Sequence, residues 1–219
     1  MFYAKLNEGI ILKNIIQSIK GLFDDLEIEI RSDGIYIQKL DKSRIAITFI
    51  KLSSKGFQEF KWEKSFEIGI SILSLEKVFN DIEDEDCLIL INDDPKKLII
   101  KLEKPEINKI YEYEIPLKEN LYEKLLVLDN TNNATIILPS KQFEKIINDL
   151  NATGSDISIK CYSDGKARFY IENEIERSIM TNHEEEVEKF IKVESDKEII
   201  FRLNIGILTE LSKASLVSK

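Results

Sequence analysis

The chain has 219 residues, 43% of them hydrophobic, which is enough to bury the cores of one or two domains. Its 40 acidic and 31 basic residues give a net charge of −9, which argues against a protein that coats nucleic acid with its whole surface but allows one that keeps its lysines on one face. We see no secretory leader and no apolar run long enough to span a bilayer. The two isolated cysteines, Cys87 and Cys161, are typical of buried residues in a reducing, intracellular compartment.

The first half of the chain has the hydrophobic periodicity of a mixed α and β domain. In chain order it predicts a helix over 10–23, strands over 26–30, 35–37, 45–50 and 66–70, a short helix over 73–79, a hairpin of strands 87–91 and 98–102, and a strand over 111–115. Asp33-Gly34 marks the first tight turn, Asp93-Asp94-Pro95 marks the hairpin turn, and Pro116 ends the last strand.

The second half repeats this order. It predicts a helix over 142–150, strands over 157–161, 168–171 and 198–203, and a last helix over 205–213. Ser32-Asp33-Gly34 recurs 131 positions later as Ser163-Asp164-Gly165, and a repeat of that length indicates two similar domains rather than a solenoid. We expect domains over 1–117 and 134–219 with a connector over 118–133. The hairpin of the first half has no counterpart after the last helix.

Lysines recur on the polar faces of the predicted helices. In each helix the apolar residues share one face, which must pack on a sheet, and the lysines lie opposite. Lys77 and Lys213 are expected at matching places in the two short helices. A single exposed lysine usually has no role, but this recurrence predicts a basic surface made of Lys13, Lys20, Lys77, Lys141, Lys145 and Lys213.

An ordered set of residues resembles the PCNA-type DNA sliding clamps. It begins with Met1-Phe2-Tyr3-Ala4-Lys5-Leu6, continues through Leu12-Lys13, Asp33-Gly34, Leu40-Asp41-Lys42-Ser43-Arg44 and Gly56-Phe57, and reaches Tyr113-Glu114, Pro139-Ser140 and Asp164-Gly165. The resemblance implies an α+β DNA-clamp fold of two duplicated βαβββ-type domains, with antiparallel sheets outside and helices lining a hole. It also implies a ring, usually of three subunits.

The function that this resemblance implies is a processivity factor with no cofactor or metal. Its partners would be duplex DNA, bound independently of sequence, a clamp loader, and DNA polymerase and other replication or repair proteins, in the nucleus of a eukaryote or otherwise in the cytoplasm. The lysines above would face the DNA, Lys141 being added from helical periodicity alone. Asn14, Asn80, Asn148 and Gly206 stand where the family often has a basic residue, so the bore should be less positive than usual.

Two protein interfaces are also implied by the resemblance. A pocket for a hydrophobic partner peptide would use Leu40, Arg44, Ile45, Ile47, Leu125 and Val127, for which ordinary packing of the connector on the sheet is the alternative. Subunits would pair the edge strands near 108–116 and 174–180, with Ile110, Tyr113, Ile115, Ile175 and Ile179 at the interface.

The residues give less support to functions other than that of a clamp. The single histidine, His183, lies in an acidic stretch without a second metal ligand nearby, and no glycine-rich phosphate loop occurs, so an enzyme is not expected. A scaffold without DNA binding, or a subunit of a specialised heteromeric clamp of checkpoint or viral type, remains the alternative. The early end of the repeat indicates either an incomplete sequence or a shortened relative that completes its fold with a partner.

Overall fold

A computed structural model of the chain describes residues 1–42, 44, 46–119, 134–172, 177–182, 190–193 and 198–217. The chain divides into two compact units, Met1–Leu126 and Val127–Lys219, called here the first and second unit. Of the residues with predicted roles, Ile45, Leu125, Val127, Ile175 and His183 lie outside the described residues.

The first unit consists of two antiparallel sheets and two helices. Its elements are β1 (Phe2–Leu6), α1 (Gly9–Ile19), β2 (Asp25–Arg31), β3 (Gly34–Leu40), β4 (Ile47–Ser53), β5 (Glu59–Trp62), β6 (Phe66–Ser71), α2 (Ile72–Phe79), β7 (Cys87–Asp94), β8 (Lys97–Lys104) and β9 (Lys109–Pro116). One sheet has the strand order β5-β1-β7-β8-β9, and the other has the order β4-β3-β2-β6.

The core of the first unit lies where both sheets meet both helices. On α1, Leu12, Ile15, Ile16 and Ile19 are buried, as expected for one helical face repeating every three to four residues. A small internal cavity is lined by Leu12 and Ile16 of α1, by Leu75 and Phe79 of α2, and by apolar residues of both sheets. Burying this face is the main source of the helix's stability, since a helix of this length is marginal in water.

The second unit repeats the arrangement over a smaller number of described strands. Its elements are β10 (Ala134–Ile137), α3 (Ser140–Asn151), β11 (Asp156–Cys161), β12 (Lys166–Ile171), β13 (Arg177–Asn182), β14 (Phe190–Val193), β15 (Ile199–Asn204) and α4 (Ile205–Ser212). β10 pairs with β14, and a four-stranded sheet has the order β13-β12-β11-β15. The core includes Ile147 and Leu150 of α3, Ile157 of β11 and Phe169 of β12.

The register of the sheets gives the correspondence between the units. Asp25 of β2 lies opposite Ser71 at the end of β6, and Asp156 of β11 lies opposite Asn204 at the end of β15. The series β1-α1-β2-β3-β4-β5-β6-α2 therefore corresponds to β10-α3-β11-β12-β13-β14-β15-α4. The α+β fold and the duplication are confirmed.

The Asp-Gly turns of the two units require glycine. Gly34 has φ +149°, and a Cβ there would lie 2.1 Å from the carbonyl oxygen of Leu52, so no side chain fits. Gly165, its counterpart, has φ +80°. The turn between β2 and β3 is therefore fixed by the residue that the sequence pattern identified.

Several boundaries differ from the predictions for local reasons. β4 begins at Ile47 because the backbone N–H of Ala46 is turned back toward Asp41 and donates to its Oδ1 at 2.7 Å. The first helix ends at Ile19, although Leu22 and Phe23 beyond it are buried. The short strands β1, β5, β10 and β14 were not predicted, because four or five residues carry little periodicity of their own.

Candidate nucleic-acid interface

Three of the predicted lysines are exposed on helices. Lys77 lies on α2 in the first unit, while Lys141 and Lys145 lie four residues apart on α3 in the second. None of the three forms an ion pair with another residue of the described part of the chain. Their ammonium groups are therefore available to a ligand that offers negative charge.

Lys20 is engaged within the first unit. Its Nζ lies 2.5 Å from Glu76 Oε1 of α2, with the two side chains 42% and 24% exposed. The pair lowers the local positive charge, so Lys20 contributes less to a basic surface than the sequence indicated. An exposed pair of this kind contributes little to stability.

Lys13 connects the two helices of the first unit. Its Nζ donates hydrogen bonds to the backbone carbonyl of Ile82 at 2.7 Å and of Asn80 at 3.2 Å. These carbonyls lie just past the end of α2, where the last turn of a helix leaves acceptors unpaired and carries partial negative charge. The Lys13 side chain is therefore a structural link between α1 and α2.

The second unit has a corresponding link, in which the side chain on the first helix is an anion that accepts a hydrogen bond rather than a cation that donates one. The residue of α3 at the position of Lys13 is Glu144, whose Oε2 accepts a hydrogen bond from Ser215 Oγ at 2.6 Å. Ser215 lies in the 3₁₀ turn Lys213–Leu216 after α4, at the position that corresponds to Ile82. Both units thus fasten the first helix to the segment that follows the second, once through a cation and once through an anion.

The expected match of Lys77 with Lys213 is wrong. Counting from the paired strand ends Ser71 and Asn204, the counterpart of Lys77 is Glu210, and Lys213 corresponds to Asn80. Lys213 stands after the end of α4, and its Nζ lies 2.6 Å from Glu210 Oε1. The second unit therefore has an internal ion pair where the first has an exposed lysine.

Replacing Lys13 tests the structural link. We expect Lys13→Met to lower the free energy of unfolding by about 1 to 2 kcal/mol, because two carbonyls at the end of α2 lose a charged donor. Lys77→Met removes the same charge from an exposed site and should leave stability within about 0.5 kcal/mol. Urea denaturation of both variants measures the difference; equal midpoints would show that the link does not stabilise the protein.

The described residues of the predicted peptide pocket lie at one end of β3 and β4. Leu40 and Ile47 are directly opposite each other in the sheet, with Leu40 half-buried and Ile47 45% exposed. Arg44 is exposed in the turn between the strands and has φ +59°. Phe49, two residues beyond Ile47 on β4, was not predicted and is 59% exposed, although its alternation with Ile47 is visible in the sequence.

β9 forms one end of the five-stranded sheet and contains the first set of predicted interface residues. Ile110 is 66% exposed, whereas Ile115 is only 3% exposed and belongs to the core, so its side chain is not available for an interface. Tyr113 is half-buried, and its hydroxyl donates to Asp81 Oδ2 at 3.2 Å. Burial and this carboxylate raise the pKa of Tyr113, which keeps the hydroxyl protonated as a donor.

β13 forms one end of the four-stranded sheet in the second unit. Ile179, the predicted interface residue in this strand, is half-buried and packs against the core of the unit. Strands at the ends of sheets expose backbone N–H and C=O groups that can pair with another chain. The structure thus provides an end strand at both predicted positions, β9 and β13.

Two protein-family models match nearly the whole chain. The model described as proliferating cell nuclear antigen, N-terminal domain, matches residues 1–124, and the one described as proliferating cell nuclear antigen, C-terminal domain, matches residues 127–219. The chain belongs to the proliferating cell nuclear antigen family. A relative of that name from Chaetomium thermophilum is 28% identical over 223 residues, an alignment that covers 100% of this chain and 86% of the relative.

Membership in the proliferating cell nuclear antigen family confirms the resemblance seen in the sequence and the DNA-clamp fold. Members of this family are sliding clamps of DNA replication, and they act as scaffolds rather than as enzymes. Within the described ranges, no cluster of three His, Cys, Asp or Glu side chains is arranged to hold a metal ion. No helix in the same ranges has both the length and the apolar character needed to cross a membrane.

Proposed function

We propose that this chain is a sliding-clamp subunit that closes into a homotrimeric ring, encircles duplex DNA and tethers DNA polymerase and other replication or repair proteins. The observation that carries the proposal is the exposure of Lys77 on α2 and of Lys141 and Lys145 on α3, on helices of both duplicated units. A clamp loader would open and close the ring. The site of action would be the nucleus in a eukaryotic cell and the cytoplasm otherwise.

The chemistry of these lysines suits binding without sequence recognition. Duplex DNA presents regularly spaced phosphates, and a lysine contacts a phosphate without reading a base edge. Contacts bridged by water can exchange one phosphate for the next as the ring moves. Retention on DNA would then depend on closure of the ring rather than on tight binding, which is compatible with a chain of net charge −9.

Ring closure would use the end strands β9 and β13 of neighbouring copies. Pairing them would extend the five-stranded sheet of one copy into the four-stranded sheet of the next. We propose domains over 1–117 and 134–219 with a connector over 118–133. The beginning of this connector is supported by the end of β9 at Pro116 and by the hydrogen bond from Lys118 N to the Gly69 carbonyl at 2.9 Å.

A topological experiment tests the ring. The protein is loaded by a clamp loader onto nicked circular duplex DNA, and the complex is washed at high salt. The amount of protein bound to the DNA is then measured before and after the circle is cut once. We expect retention on the circle and loss from the linear form, because high salt removes the electrostatic contacts and leaves only topology. Equal loss from both forms would overturn encirclement. Light scattering on the free protein should give the mass of a trimer.

A specific observation favours a second candidate, a scaffold or a subunit of a specialised heteromeric clamp. Lys13, Lys20 and Lys213 are all engaged within their own units, so half of the predicted basic set is not free for phosphate. Under this alternative the chain alone would be monomeric and would not stay on circular DNA. The experiment above separates the two candidates.

Partner binding gives a further prediction. We propose that a peptide with one aliphatic and two aromatic anchors binds at Leu40 and Ile47, with most of the affinity coming from burial of those anchors. Ile47→Asp should weaken this binding at least about tenfold, since a carboxylate would be desolvated under the peptide. Ile137→Asp changes a similarly exposed isoleucine of the second unit and is the control. A fluorescence titration that gives equal affinities for Ile47→Asp and the parent would move the docking site elsewhere.

A further inference from the structure

The exposed side of α2 carries an apolar side chain next to a lysine. The buried face of this helix includes Leu75, Val78 and Phe79, whereas Leu73 is 66% exposed and Lys77 is exposed one turn later. Residues four apart lie on the same face of a helix, with their Cβ atoms about 6 Å apart. Leu73 and Lys77 therefore form one continuous surface that is apolar at one end and positively charged at the other.

The charges around Leu73 distinguish it from other exposed leucines. A single exposed apolar residue usually has no role. Here the neighbour along the helix, Lys77, is one of the three helix lysines that form no ion pair with another described residue. The carboxylate of Glu76, beside Lys77 in sequence, is paired with Lys20, with 2.5 Å between Oε1 and Nζ, so its charge is balanced. An anion that binds Lys77 therefore also brings the group attached to it close to Leu73.

The second unit does not repeat this surface. Counting from the paired strand ends, the counterpart of Leu73 is Gly206 of α4, which has no side chain, and the counterpart of Lys77 is Glu210, which is paired with Lys213. The exposed lysines of the second unit lie instead on α3. The two units therefore offer different contacts: α3 offers two lysines, and α2 offers one lysine beside one leucine.

We propose that Leu73 packs against a deoxyribose ring next to the phosphate that Lys77 contacts. Each phosphate of duplex DNA is bonded to a sugar on either side, and the C–H groups of these sugars are apolar. Sugar contacts position a protein on the duplex without reading its sequence. The first unit would thus add an apolar contribution to DNA binding that does not depend on salt. This inference rests on the proposed binding of DNA by Lys77.

Anisotropy of a fluorescent linear duplex, titrated with the full chain over a series of salt concentrations, separates apolar from ionic contacts. Leu73→Ala should lower the affinity about threefold to tenfold at every salt concentration and leave the slope of log K against log salt unchanged, because apolar burial releases no counterions. Alanine is the best helix former, so α2 is retained. Leu73→Met should bind like the parent, because its side chain remains large and apolar.

Leu73→Lys tests whether this position approaches the DNA. A lysine there would meet a phosphate next to the one that Lys77 contacts, so the slope should become steeper by about 0.9. Phe49→Ala is the control for loss of exposed apolar surface. Phe49 is 59% exposed on β4, on the opposite face of the sheet from the buried Thr48, and its replacement should leave DNA binding unchanged.

Either of two results would overturn the role of Leu73. One is equal affinity of Leu73→Ala and the parent, and the other is an unchanged slope in Leu73→Lys. A slope that also survives the loss of all three exposed helix lysines would overturn the proposed DNA-binding surface itself. A slope that falls with those lysines while Leu73→Ala binds like the parent would overturn only the inference about Leu73.

Discussion

Replacing Lys77, Lys141 and Lys145 together with Ala is expected to weaken DNA binding strongly while leaving the fold intact. All three side chains are exposed, so their removal costs no packing. If each lysine neutralises one phosphate, the slope of log K against log salt should fall by about 0.9 for each lysine removed. DNA binding measured by fluorescence anisotropy over a series of salt concentrations gives this slope directly.

A matched variant controls for the change in net charge. Lys61, Lys101 and Lys166 lie on the strands β5, β8 and β12, and each forms an ion pair at the surface of a sheet. Replacing these three with Ala changes the net charge by the same amount as the first variant. It should leave the salt slope unchanged, because in the proposed ring the sheets face away from the DNA. Equal losses of affinity in the two variants would mean that the helices do not form the DNA-binding surface.

Ile110→Lys is expected to convert the proposed ring into monomers. Ile110 is 66% exposed on the end strand β9, and a lysine there would bring an unpaired charge into the interface with the neighbouring copy. In the separated subunit the new lysine lies opposite Glu103 of β8, which favours its folding. Removing an interface anchor of this kind commonly costs about 2 kcal/mol or more, roughly a thirtyfold change in the association constant of one interface.

The control for this variant is Ile107→Lys. Ile107 is 52% exposed in the 3₁₀ turn Pro105–Ile107 immediately before β9, so the substitution has the same chemistry outside the proposed strand pairing. Light scattering over a range of protein concentrations should show the parent's mass for Ile107→Lys and a lower mass for Ile110→Lys. Tyr113→Ala should also weaken assembly, but it removes the internal hydrogen bond to Asp81 and is harder to interpret. A full ring in Ile110→Lys would place the interface elsewhere.

The sequence predicted those elements whose pattern is local. The spacing of Ile15, Ile16 and Ile19 identifies most of the buried face of α1 without any tertiary information, but the same spacing also predicts Ile11 there, and the structure leaves Ile11 40% exposed and buries Leu12 instead. The Asp-Gly turns identify two hairpins, since only glycine fits at Gly34. The strands β5 and β14 are four residues long and depend on pairing with β1 and β10, which are distant in sequence, so no local signal reveals them.

The lysines show where inference from the sequence stops. Helical periodicity predicts that Lys13 and Lys20 lie away from the apolar face of the helix, and Lys20 directly follows the end of α1, but the partners of both lie in or after α2, with Glu76 56 positions away from Lys20. Which charges are engaged depends on how two helices pack, and periodicity within one helix carries no information about that. Lys213 differs, because its partner Glu210 is three residues earlier and a pair at that spacing can be anticipated from sequence.

The links from α1 to the end of α2 and from α3 to the turn after α4 have a consequence for how such a protein can evolve. In each unit one side chain, Lys13 or Glu144, links the first helix to the segment after the second, while Lys77, Lys141 and Lys145 are exposed and form no ion pair with another described residue. Selection for a stable fold and selection for contact with a ligand therefore act on different residues. A lineage can gain or lose positive charge at the exposed sites one substitution at a time, and the fold is not weakened at any step.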